Sequence, residues 1–462
     1  VRDQAQIDGR AARLQNRNGD PSWAWAPYRP DAERPWTLEL AAHLYRRAAL
    51  GANWGELQQA LADGPEAAVG KLLHPKPETT AFNQAFDAYE NAATGSDGGV
   101  PAWWLRRLIQ TPDPVLEQMT LLWHNHFAIT NARVNNPAMM CRYVHLLRRH
   151  ALGRFDTLLE SLLDEPAVLV CLGARANRKA RPNLDFARAL MERFTLGPGQ
   201  FSDQDVQGAA RALTGWFVSQ DEARYIPREH DSAPKKFLGH EGDFDRKDLL
   251  RLLLEQPATA PFLVRKVYRW FVSETVSPPD ALLAPLAADF AKDFDAGRLL
   301  ETVLRSNLFF SSCRQRIKSP VLYAVSLIRG LEATVGTARL ASDLADLGQD
   351  LFQPPTLKGW AGGQCWINRF TLLGRARLAE DLLAGSGPYG ARLDPSAIAS
   401  KYGQSAPEAA SRLLLNLFLD GSLPEETRQA LLAAQARGPD QGPEPLRRFA
   451  ALLAALPESH LA

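Results

Sequence analysis

The sequence predicts a mainly α-helical protein, a large multi-helix assembly carrying one short β-hairpin near residues 216–229. Three observations predict it. Ala, Leu, Arg and Glu fill most windows, and all favour helix. Long alternation of Val, Ile and Thr, the mark of strands, is almost absent. Apolar positions recur at helical spacing behind clear start signals, as where Asp113-Pro114 is followed by Val115, Met119 and Leu122. With 462 residues, 45% of them hydrophobic, the chain can bury a large core.

Residues 1–36 are polar at first and then read Trp23-Ala24-Trp25-Ala26-Pro27-Tyr28-Arg29-Pro30, an extended arm laid on the body. A helical core domain is expected over 37–377 and a C-terminal helical extension packed on it over 378–462. Thr37 caps a first helix that turns Leu38, Leu40, Ala41 and Leu44 inward and stops near Leu50-Gly51. His43, Arg46 and Arg47 share it, the arginines read as surface charge. Further helices are expected at about 53–62 and 66–73. Residues 74–100, with Pro75, Pro77 and the tip Gly95-Ser96-Asp97-Gly98-Gly99, read as a mobile loop. Helices follow at about 101–110, 113–125, 137–150 and 154–163. Asn183 caps a helix from Leu184 to about Leu196, with Gly197 after it, and Ser202 begins another that runs to about Thr214. Trp216-Phe217-Val218 and Arg224-Tyr225-Ile226 flank the hairpin turn. Helices resume at about 245–254, 257–272, 279–293, 297–305 and 321–331, and Pro354–Gly363 is a punctuated Gly/Pro/Trp loop of the kind that lines sites.

Lys plus Arg (53) nearly balance Asp plus Glu (52), and no basic helix is sustained, so nucleic acid is not an expected partner. No apolar run approaches the ~20 residues of a membrane span. No secretory signal is visible, so a cytoplasmic place is expected unless the N-terminus has been trimmed. Cys141, Cys171, Cys313 and Cys365 lack zinc spacing and read as free buried thiols.

The chemistry-bearing stretch is Leu121-Leu122-Trp123-His124-Asn125-His126-Phe127, two histidines and an amide set in an apolar run. Residues i and i+2 face opposite ways on a helix, so His124 and His126 converge only if the helix stops at Trp123. Asp185, Arg188 and Glu192, at i, i+3 and i+7, form one stripe. His230-Asp231 followed by Lys235 suits an anion site or an acid–base pair, and the cations of 175–183 suit a phosphate, sulfate or carboxylate group.

Together these motifs resemble the bacterial domain-of-unknown-function 1800 family. The resemblance spans about residues 37–377. It rests on Trp123 to Phe127, Asn183 to Gly197, Ala210-Arg211-Ala212-Leu213-Thr214-Gly215-Trp216, His230-Asp231, Lys318-Ser319-Pro320, and Pro354-Pro355 with Lys358-Gly359-Trp360. It implies a predominantly helical fold and a neighbouring sulfatase-like protein of the domain-of-unknown-function 1501 family, and it carries no secure activity. Where the family has two further acids, this chain has Leu184 and Ala189, and Ala233 stands where the family favours Gly.

Two functions follow as expectations. The first is a hydrolase or transferase acting on an anionic substrate in one polar pocket. His124, His126, Glu192 and Asp231 would be catalytic there. Asn125, Arg188, His230, Lys235, Lys358 and Trp360 would hold the substrate, and His124, His126, Asp185 and Glu192 would suit a zinc or manganese ion. The second is a non-catalytic binding or assembly partner of the sulfatase-like protein, with the same polar motifs as buried structural networks. The two separate on whether His124, Arg188, Glu192 and His230 share one hollow.

Overall fold

The computed structural model describes residues 19–462, apart from 75, 96–97, 276, 385–386, 391–392, 420–422, 424 and 437–442. Helices dominate from Leu38–Ala48 to Pro443–Ala455, as their composition predicts. Their starts follow the cap chemistry: Thr37, Asn53, Asn136, Asn183, Ser202, Asp245 and Ser319 each accept a backbone N–H of the first turn. The 54–73 stretch is two helices in effect, broken where Gly64 takes φ +78 before Pro65.

The 74–100 loop expectation is corrected. Thr79–Thr94 is a helix of 16 residues, and the tilted rings of Phe82 and Phe86 pack at 4.7 Å along it. Asp113 does not cap its own helix. Its carboxylate instead accepts from Lys76 N (3.2 Å) and Thr79 Oγ1 (2.5 Å), fixing the start of the Thr79–Thr94 helix. A second hairpin, Lys235–Phe237 with His240–Gly242, joins the expected one at Trp216–Ser219 and Glu222–Tyr225. Its turn residues Leu238 and Gly239 both have positive φ, the geometry a two-residue hairpin demands. Leu in that place gave no turn signal.

The described part of the N-terminal stretch lies on the body: Trp25 Nε1 donates to Leu282 O (2.6 Å) and Tyr28 N to Arg305 O (2.7 Å). Residues 1–18 of the expected arm lie outside the described residues. Arg46 and Arg47 are buried rather than on the surface, Arg47 donating from Nε to Phe271 O (2.9 Å). Cys141 and Cys171 are buried, but Cys313 is half-buried and Cys365 exposed, which corrects the expectation of four buried thiols. No helix among the described residues is long and apolar enough to cross a membrane.

The main polar feature of the core was not anticipated. Glu117, fully buried, accepts from Arg107 Nε (2.7 Å), Arg148 Nε (2.6 Å), Arg148 Nη2 (3.2 Å) and Trp104 Nε1 (3.1 Å). Burial opposes its charge, but the Arg148 and Arg107 guanidiniums outweigh it and hold the carboxyl down to about 2. The network continues through His145 to Glu90 (2.6 Å).

Candidate functional site

The Pro114–Phe127 helix runs through both histidines and ends where Ala128, at φ +51, returns its N–H to His124 O (2.9 Å). Phe127, Ala128 and Ile129 are all fully buried, so their packing carries the helix past Trp123. At ~100° per residue His124 and His126 then lie ~200° apart. The expected convergence of the two rings does not form.

His124 is enclosed by the rings of Trp104, Phe352, Trp360 and Tyr143, at 5.2, 5.6, 5.6 and 5.8 Å between centroids. Neither ring nitrogen meets a hydrogen-bond partner among the described residues. Burial alone pulls its pKa down to about 3, so the ring is neutral at any physiological pH. It has no exposed surface and lines neither of the clefts described below.

His126 points the other way. Its Nε2 lies 3.1 Å from Phe194 O. A carbonyl only accepts, so Nε2 carries the proton and Nδ1 presents a lone pair, which is buried without a partner among the described residues. Burial, then the charges of Lys266 and Arg193, push its pKa well below the usual histidine value.

Asn125, between them, clamps the Gly/Pro/Trp loop. Its Oδ1 accepts from Trp360 N at 2.7 Å. Gly359, at φ +79, passes so close that a Cβ there would stand 2.1 Å from Asn125 Oδ1 and 2.4 Å from Asn125 O. Two distant motifs, Trp123–Phe127 and Lys358–Trp360, are thereby one structural unit.

This clamp shapes a cleft of about 200 Å³. Asn125 and His126 line one side and Lys358 and Trp360 another, with Trp270 and Trp366 as further aromatic walls. Four cations face it, Lys266, Arg269, Arg316 and Lys358, against one acid, Glu274. Arg316 is used internally: its Nε binds Glu274 Oε1 (2.7 Å), its Nη1 binds Trp270 O (2.7 Å), and its guanidinium lies 4.4 Å from the centre of the Trp270 ring. Lys266, Arg269 and Lys358 pair with no carboxylate among the described residues. Lys266 rests its amine 4.8 Å from the Phe262 ring, and burial, then the Arg269 charge, lower its pKa to about 8. Trp270 Nε1 and Glu274 Oε2 are also buried without partners among the described residues, a donor and an acceptor behind the wall of the same cleft.

Across the Thr356–Lys358 segment lies an open groove of about 890 Å³ holding Asp185, Arg188 and Glu192 on one wall, so the stripe does share a face. The backbone there is an α turn, Leu184–Arg188, followed by a π turn, Ala189–Thr195. The carboxylate–guanidinium row does not close on itself, because Arg188 pairs outward with Asp203 (2.7 Å) and both partners are exposed. Ala189, one of the two positions without the family's acid, lines this groove, whereas Leu184 is 48% exposed.

His230, Asp231 and Lys235 belong to neither hollow. Asp231 binds Arg211 through two contacts (2.6 and 3.1 Å), which hold its carboxyl down to about 2. His230 Nδ1 lies 3.0 Å from Thr214 O. Lys235 is buried, its amine 2.7 Å from Asp243. Asp231 thus ties the segment between the two hairpins to the Asp203–Ala212 helix, and Lys235 to Asp243 closes the second hairpin. The expected joint pocket of His124, Arg188, Glu192 and His230 is therefore not assembled, nor is the zinc or manganese shell of His124, His126, Asp185 and Glu192. Among the described residues no three His, Cys, Asp or Glu side chains converge as a metal site.

What sequence reasoning missed is the far wall: Lys266, Arg269 and Trp270, with Glu274 beyond. The first three sit at i, i+3 and i+4 of the Thr259–Phe271 helix, a cationic–aromatic face that spacing alone displays.

No curated protein and no solved structure matches the chain. A family model described as a protein of unknown function (DUF1800) matches residues 43–461, which takes in the C-terminal helices as well as the motif regions. The motif clamped at Asn125 and Gly359 is thus part of a match that covers nearly the whole sequence, and the chain belongs to the DUF1800 family.

Proposed function

We propose that the tryptophan-walled cleft binds a small anionic ligand with a flat or apolar body. The observation that carries this is the set of cations on one concave surface, Lys266, Arg269 and Lys358, none of which has a carboxylate partner among the described residues. Unneutralised cations gathered in a partly dry cleft favour a carboxylate, phosphate or sulfate group. Three indoles supply stacking area for the rest of the ligand. The hydrolase or transferase expectation is narrowed to its substrate half, an anion held in this cleft; of the four expected catalytic residues only His126 lines it, while His124, Glu192 and Asp231 do not.

Tryptophan fluorescence titration with 2-naphthoate tests the reading. Wild-type protein is expected to show saturable quenching that neutral 2-naphthamide does not reproduce. The Arg269→Ala/Lys358→Ala double variant is expected to lose it by roughly 10- to 100-fold, the worth of one or two charge-assisted hydrogen bonds. No quenching in the wild type, or equal affinity in the double variant, defeats the proposal.

A second reading, partnership with a sulfatase-like protein, is favoured by Phe370, Leu372 and Leu373, which are 70%, 40% and 72% exposed on the Arg369–Leu383 helix just beyond Trp366. Co-purification with such a protein, abolished by Phe370→Ser/Leu373→Ser, is the test.

A further inference from the structure

Lys266 differs from its neighbours in the cleft. Arg316 is bound to Glu274 and to Trp270 O, and Lys358 is exposed on the loop. Lys266 is half-buried, and its amine sits over an aromatic face instead of beside a carboxylate. Burial strips hydration from the ammonium and the Arg269 charge opposes it, which together favour the neutral amine, the nucleophilic form, over the weaker hold of the Phe262 ring on the charge. Arg269, one turn further along the same helix, is placed to fix an anionic group on the same ligand. His126 lines the cleft as well, with its Nδ1 buried behind the surface and without a hydrogen-bond partner among the described residues.

We propose that Lys266 is an imine-forming residue and that the ligand class of the cleft is an oxo acid, an aldehyde or ketone that also bears a carboxylate. This rests on the anion-binding reading above. Arg269 and Lys358 hold the carboxylate. The Lys266 nitrogen lone pair attacks the carbonyl carbon, a C–N bond forms, and the C=O π pair moves to oxygen, which takes up a proton. The proton released from nitrogen passes to bulk water at the mouth of the cleft. The nitrogen lone pair then forms the C=N bond as the hydroxyl leaves with a proton as water, and the nitrogen gives up its second proton to solvent. The net change is carbonyl plus amine to imine plus water, with no oxidant or reductant.

The experiment is reductive trapping on the full chain with glyoxylate and sodium cyanoborohydride at neutral pH, followed by peptide mapping. The added hydride converts the imine to a stable carboxymethyl amine. The peptide carrying Lys266 is expected to be labelled roughly tenfold or more faster than exposed lysines such as Lys236 and Lys292, because more of its amine is neutral. Its labelling should rise with pH through about 8. 2-Naphthoate should suppress it, and Lys266→Arg should remove that label while leaving the others. If 2-naphthoate binds but label spreads over lysines according to exposure, imine formation is refuted and the anion-binding reading survives. If 2-naphthoate fails to bind at all, the underlying reading fails first. Selective labelling of Lys266 that 2-naphthoate does not suppress refutes the placement of the oxo acid's carboxylate in the cleft.

Discussion

Glu117→Gln should be among the most damaging single changes in the protein, although it is nearly isosteric. Glu117 accepts from two guanidiniums and the Trp104 indole in a site with no exposed surface. Removing its charge leaves Arg107 and Arg148, 2% and 6% exposed, facing an amide that must turn an NH₂ toward one set of donors. Breaking a buried pair in this way costs about 3–5 kcal/mol. Proton linkage gives an independent figure. The folded carboxyl sits near 2, against 4.5 for the free group. That shift corresponds to about 3 kcal/mol of stability. Because the folded pKa is depressed, this stability is fully present above about 4.5 and is lost as the pH falls through 2. By pH 3 about 2 kcal/mol of it is gone. Urea unfolding of wild type and Glu117→Gln at pH 7 and pH 3 measures both terms, and the difference between the proteins isolates Glu117 from the other carboxylates. At pH 7 the variant should be less stable by about 3 kcal/mol or more, and the gap should narrow by about 2 kcal/mol at pH 3. Equal midpoints at pH 7, or a gap that does not change with pH, would refute the account of a charge held by two arginines.

Gly359→Ala should unseat the loop, since its Cβ would stand 2.1 Å from Asn125 Oδ1 at a left-handed φ; faster amide exchange across 354–363 and weaker 2-naphthoate binding are the readouts, and unchanged exchange would contradict the clamp. His124→Phe should keep stability within about 1 kcal/mol by urea unfolding, because it removes two unpartnered nitrogens from an aromatic enclosure. It should also leave 2-naphthoate binding intact, and selective loss of binding would return His124 to the site. Cys365, exposed beside Trp366, should react quickly with a maleimide and be protected by 2-naphthoate, while Cys141 and Cys171 react only on unfolding. Mass mapping decides it, and no protection would place the ligand elsewhere.

The polar motifs were visible as letters long before their roles were. The pair at His124 and His126 looked like one feature because the residues are adjacent but one. Whether they meet depends on where the helix ends, and burial of Phe127 and Ile129 decides that. Lys358-Gly359-Trp360 stood out because it combines a charge, a rigid turn and an aromatic, and in the structure Lys358 and Trp360 line the cleft. Its partner could not be read, because the bond from Trp360 N to Asn125 Oδ1 joins residues 235 positions apart. Asp231 and Lys235 misled for the opposite reason: their charges are spent on Arg211 and Asp243, and pairing of that kind leaves no trace in spacing.

By itself the sequence determined the helical class, most helix starts, the expected hairpin and the family, because caps, apolar period and turn residues act over a few positions of chain. Only the tertiary structure decided which charges are free. A carboxylate or guanidinium is a site or a strut according to what stands opposite it. At Glu117, Asp231 and Lys235 a counter-charge from elsewhere in the chain fills that place, whereas at Lys266, Arg269 and Lys358 none among the described residues does.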